Sequence, residues 1–88
     1  MDRNRIVVNF HPFMVSQEVI CYVNGGQNKE ISWVPLDEVI NQINYYCNKY
    51  NTIDKIYLCG NTNFVKKFQK DFMTKYANNR IEIAIVEK

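Results

Sequence analysis

Lys55-Ile56-Tyr57-Leu58-Cys59-Gly60-Asn61-Thr62-Asn63 is the stretch whose reading decides the fold. Its first part is short, apolar and closed by glycine, the pattern of a strand buried on both faces in the middle of a sheet. Asn61-Thr62-Asn63 then offers side chains that cap a helix N-terminus. Behind it Val65, Phe68, Phe72 and Tyr76 recur at helical spacing as a buried stripe with Phe64 at its margin, while Lys66, Lys67, Lys70 and Asp71 fall on the outer face. Asn78-Asn79 suits a left-handed helix cap, and Arg80-Ile81-Glu82-Ile83-Ala84-Ile85-Val86 reads as a final strand. The second half of the chain is therefore a strand–helix–strand unit.

Upstream, the preceding helix spans residues 36–50. Pro35 suits its first turn, and Asp37 and Glu38 favour the positive end of its dipole. Leu36, Val39, Ile40, Ile43, Tyr46, Cys47 and Tyr50 form its apolar stripe, with Asn41, Gln42, Asn44 and Asn48 opposite. Before it come three strands. Ile6-Val7-Val8-Asn9-Phe10 is stopped by His11-Pro12. Val19-Ile20-Cys21-Tyr22-Val23 and Glu30-Ile31-Ser32-Trp33-Val34 flank Asn24-Gly25-Gly26, a hairpin signal because those residues tolerate positive φ. The longest irregular segment is 12–18. The order is β-β-β-α-β-α-β, a mixed α/β (α+β) sheet in one domain covering residues 1–88. A strand reached through a helix lies parallel to its neighbour with a right-handed crossover, which predicts a sheet order of 3-2-1-4-5 with two helices.

The composition bounds the function. With a net charge of +2 the chain is not an obvious nucleic-acid binder. The charge is uneven: residues 1–60 carry −1 and residues 61–88 carry +3. Five Phe, six Tyr and one Trp can build a core without staples. Cys21, Cys47 and Cys59 are odd in number, lack CxxC spacing and read as buried reduced thiols; the single histidine, His11, pairs with no two of them at zinc spacing. No cofactor and no metal are expected. No run is long enough to cross a bilayer, and the first apolar run is too short for a signal peptide, which places the chain in the cytoplasm. The abundance of Asn, Ile, Lys and Tyr, with only three Arg, points to an AT-rich bacterial or phage genome.

The order of elements resembles the ribonuclease H-like fold, also the repeating half of actin-like ATPases. The resemblance rests on the hairpin at Asn24-Gly25-Gly26, the first helix, Ile56-Tyr57-Leu58-Cys59-Gly60, and the final helix and strand. It spans nearly the whole chain, at the level of topology. The family's nucleases hold two metal ions with carboxylates on the first strand and at the end of the fourth. Here those places read Val8, Asn9 or Phe10, and Cys59, Gly60 or Asn61, which do not supply the charge Mg²⁺ requires. The small glycine-rich phosphate turn of the actin-like proteins is replaced by the bulky His11-Pro12-Phe13-Met14.

Three functional classes follow. The first is a small non-enzymatic protein-interaction module, for instance a phage or mobile-element inhibitor or adaptor acting on a larger host machine. Its candidate contacts are Phe13 and Met14 on the 12–18 loop, Trp33 with Ile31 on an edge strand, and Lys66, Lys67 and Lys70. Either edge strand could also join a second copy as a homodimer. The loop has a competing structural reading, in which it folds back over the core. The second class binds a small phosphate-bearing ligand or nucleotide in the crevice between the ends of the first and fourth strands, using Asn9, His11, Gly60, Asn61, Thr62 and Asn63. Plain helix capping competes with it. The third is a degenerate ribonuclease H-like protein that binds nucleic acid through the basic face of the second helix, with Lys75, Arg80 and Lys88 nearby. His11 and Cys59 could form a base–nucleophile pair, but no carboxylate is placed to orient them, so no catalytic residue is assigned.

Overall fold

A computed structural model describes residues 4–75 and 81–87 of the chain. Five strands form one mixed sheet: β1 (Asn4–Asn9), β2 (Ser16–Val23), β3 (Asn28–Pro35), β4 (Ile53–Gly60) and β5 (Glu82–Glu87). Two helices, α1 (Val39–Lys49) and α2 (Thr62–Lys75), connect β3 to β4 and β4 to β5. The sheet order is β3-β2-β1-β4-β5, with β1–β2 and β2–β3 antiparallel and β1–β4 and β4–β5 parallel. This is the expected order. Tyr76, the Asn78-Asn79 cap, Arg80, Lys88 and the side chain of Lys75 lie outside what is described.

The strands outrun their apolar cores. β2 begins at Ser16, so the irregular segment is shorter than 12–18: Gln17 and Glu18 pair with Val34 and Trp33. The first helix opens as a 3₁₀ turn over Leu36–Glu38, and α1 proper starts at Val39. Leu36, expected on the buried stripe, is consequently exposed. The hairpin turn is a 3₁₀ turn over Asn24–Gly26 with positive φ at all three residues, as its composition requires.

Both crossovers step along the sheet in the same direction. Right-handed connections that step the same way place both helices on the same face. The core reflects this. Ile6, Val8 and Phe10 of the first strand and its exit, Val19, Cys21 and Val23 of β2, and Ile56 and Leu58 of β4 pack with Val39, Ile43, Tyr46 and Cys47 of α1 and Val65, Phe68 and Phe72 of α2. Every second strand residue enters this layer, and the residues between point to the other face, which neither α1 nor α2 covers.

Two groups of contacts pin the layers. Over β3, Ser32 Oγ lies 2.7 Å from the Tyr46 hydroxyl and accepts from Gln42 Nε2, while Glu30 accepts from the Tyr50 hydroxyl and pairs with Lys49 at 3.2 Å. At the other end, Phe10 sits between β1 and α2, its ring 5.4 Å from Phe64 and 4.9 Å from Phe68. Gly60 passes beneath it: a Cβ there would stand 3.1 Å from Cβ of Phe10 and 3.3 Å from Cγ2 of Val65.

Gly60→Ala should therefore cost about 1–3 kcal/mol by overpacking, read as a lower urea midpoint with unchanged slope. The Tyr50 hydroxyl and then Lys49 hold the Glu30 carboxyl below its ordinary value of 4.5. A depressed carboxyl stabilises the fold above its unfolded pKa and loses that contribution as pH falls through its folded value. The fall in thermal midpoint between about pH 5 and about pH 3 should be smaller in Glu30→Gln than in the parent chain.

Candidate functional site

The ends of β1 and β4, which would border the expected ligand crevice, are paired side by side. The Phe10 amide donates to the Cys59 carbonyl at 2.9 Å, closing β1 onto β4, and the Phe10 Cβ lies close against Gly60. The six candidate residues do not converge on one point. Asn9 Nδ2 donates to Glu18 Oε1 at 2.7 Å on the uncovered face. His11 stacks on Trp33 with ring centres 5.8 Å apart. Asn61 caps α2: its Oδ1 accepts from the amides of Asn63 at 3.1 Å and Phe64 at 3.4 Å. Asn63 is exposed, and Thr62 Oγ1 is buried without a hydrogen-bond partner among the described residues. Among the described residues no three His, Cys, Asp or Glu side chains gather as a metal site needs.

The loop after β1 does not fold over the core. Phe13 is fully exposed, and Met14 and Val15 are also exposed. It is nevertheless built. Gln17, a polar side chain buried to 3% exposure, reaches under it. Its Oε1 accepts from the His11 amide, and its Nε2 donates to the carbonyls of His11 and Met14, both at 3.2 Å. The Met14 amide closes the turn on the His11 carbonyl at 3.0 Å. Three side-chain hydrogen bonds from one buried amide thus hold Phe13 and Met14 out in water. The sequence reading missed Gln17 because a glutamine beside a strand carries no signal until its partners are known.

Trp33 stands on the edge strand β3, half exposed, with Ile31 beside it on the same face. Leu36 and Val15 flank the end of that strand, since Ser16 pairs with Pro35. Tyr45 of α1 lies on the helix-covered side of that strand, its ring centre 5.7 Å from Lys49 Nζ, which reaches Glu30 of β3. On α2, Lys66 and Lys70 are exposed on the outer face. Lys67 instead borders a groove of about 490 Å³ between the helices, with Leu36, Ile40, Phe64 and Phe68 and the carboxylates of Asp37 and Asp71.

The three cysteines are buried free thiols; burial foremost, then the Glu30 charge, pushes Cys21 up to about 12. No helix among the described residues is long and apolar enough to cross a membrane. No protein family, curated protein or solved structure matches the chain.

If Gln17 presents the loop, Gln17→Ala should destabilise the domain by about 1–3 kcal/mol and speed chymotryptic cleavage after Phe13. Unchanged cleavage would mean that the loop holds its shape without the clamp.

Proposed function

We propose that the chain is a small protein-interaction module that works by binding rather than catalysis, and that its partner docks along the β3 edge and the loop clamped by Gln17. One observation carries this reading. Of the eight large apolar side chains exposed among the described residues, seven surround β3: Phe13, Met14, Val15, Ile31, Trp33, Leu36 and Tyr45; only Val86 lies at the other edge. Scattered exposed hydrophobes are ordinary, whereas a concentration of them around one element marks an interaction site.

The edge itself supports the reading. β3 pairs with β2 through eight consecutive residues without a bulge, so its outer side is straight. Its middle, Ile31 to Val34, carries no charge, and the nearest carboxylate, Glu30, is engaged by Lys49 and Tyr50. Edge strands that avoid pairing use central lysines, prolines or bulges; this one has none of them in its middle. A strand from a partner can extend the sheet there, with main-chain hydrogen bonds giving affinity and Trp33, Phe13 and Met14 giving specificity. The size of the domain suits an inhibitor or adaptor of a larger assembly, including one carried by a phage or mobile element. Three buried free thiols suit a reducing compartment such as the cytoplasm.

The test uses Ile31→Lys combined with Phe13→Ser, two exposed positions whose replacement leaves the core intact. Light scattering over a concentration series and affinity capture from bacterial lysate are run on both chains. The parent chain should self-associate or retain a defined protein at stoichiometric level, and the variant should do neither while keeping its thermal midpoint. A parent chain that stays monomeric and captures nothing, or a variant that captures the same protein, contradicts the proposal.

A further inference from the structure

The face of the sheet opposite the helices is organised in rows. Strand pairing places Lys29, Tyr22, Arg5, Lys55 and Glu82 side by side across all five strands. The next row along the strands is Ile31, Ile20, Val7, Tyr57 and Ala84, and the third is Trp33, Glu18, Asn9, Cys59 and Val86. An uncovered face of a sheet is ordinarily polar. Here the central row is wholly apolar or aromatic, and it is bordered on one side by three cations.

The first row is built around a ring. The Arg5 guanidinium lies 4.2 Å from the centre of the Tyr22 ring, and Lys29 is the cross-strand neighbour of Tyr22 on its other side. Arg5 has no carboxylate partner among the described residues. Lys55 is 2.9 Å from Glu82, and its Nζ lies 5.2 Å from the centre of the Tyr57 ring. Among the described residues the face holds two carboxylates. Glu82 sits at the far end of the cation row, and Glu18 lies in the third row, bonded to Asn9. Neither interrupts the run from Lys29 to Lys55.

A ligand that fits this face has flat apolar groups on one side and regularly spaced negative charges on the other. Single-stranded nucleic acid has that form: bases stack on aromatic and apolar side chains, and phosphates track cations. Neighbouring strands are about 4.8 Å apart, so a chain running across them passes Lys29, Arg5 and Lys55 in turn. We propose that the uncovered sheet face binds single-stranded nucleic acid, with phosphates along Lys29, Arg5 and Lys55 and bases over Val7 and Tyr57. This activity goes beyond partner docking, which uses the β3 edge, and it places the polyanion on the layer opposite the lysines of α2.

The experiment is fluorescence anisotropy with a labelled oligodeoxythymidine of about twelve nucleotides, within the span of a single binding domain. Affinity should fall about tenfold between about 50 mM and about 200 mM salt, the slope of two or three phosphate contacts. Tyr57→Ala should weaken binding about tenfold while Tyr57→Phe, which keeps the ring, retains it. Lys29→Glu, at an exposed position, should weaken binding and flatten the salt dependence. No binding at low salt overturns the proposal. So does binding that survives Lys29→Glu and Tyr57→Ala but is lost in Lys66→Glu/Lys70→Glu, which would move the site to α2. Urea midpoints of each variant separate lost binding from lost folding.

Discussion

Both crossovers of this chain step the same way along the sheet, and their shared handedness puts α1 and α2 on one face. Nearly everything else follows from that constraint. The alternation of β1 sorts its side chains: Ile6, Val8 and Phe10 enter the core, while Arg5, Val7 and Asn9 face outwards. The same division runs through β2 and β4. Cys21 is sealed beneath α1 while its neighbours Ile20 and Tyr22 belong to the other side. Among the described residues two helices pack on the five-stranded sheet, and both lie on the same face.

The core is correspondingly thin and depends on a few close contacts. Phe10 joins β1 to α2, and the absence of a side chain at Gly60 allows that approach. Over β3, where apolar packing fades, polar contacts take over: Ser32 with Tyr46 and Gln42, and Glu30 with Lys49 and Tyr50. These attach α1 to the edge strand without covering the edge's outer side. The edge is thereby held in a fixed, straight conformation and left unpaired, the state in which strand addition costs little ordering entropy. Gln17 does the equivalent for the neighbouring loop, exchanging its own burial for a rigid backbone under Phe13 and Met14.

Much of the architecture was legible in the residues. The hairpin was visible in Asn24-Gly25-Gly26, the parallel unit in the glycine-closed strand before Asn61, and the sheet order in the general rules of connection. Those signals are local or topological. The departures arose where partners decide. Leu36 fits a helical stripe, yet Pro35 and the 3₁₀ turn rotate it into solvent. Gln17 looked like loop until its pairing with Val34 and its grip on His11 were seen. The crevice residues were identified from strand ends, and Phe10, which alternates with Ile6 and Val8, points into the core beside Gly60. The uncovered face was not legible in advance: it follows once the step direction of both crossovers is known, and Tyr22 and Tyr57 then stand on it by parity. Phe13 and Trp33 stood out as candidates because a turn and an edge strand hold them, but the residues left open whether the loop folded back over the core; the exposure of both was decided by the packing.

The central claim is that this sheet is covered on one face only. Side-chain NMR of the dilute chain with a soluble paramagnetic probe tests it most directly. Val7, Ile31 and Tyr57 should broaden as the probe is added, while Ile6, Val8 and Ile56, their immediate neighbours in the same strands or rows, stay sharp. Equal protection of Val7 and Ile6, or of Tyr57 and Ile56, would show a second covering layer and contradict the account.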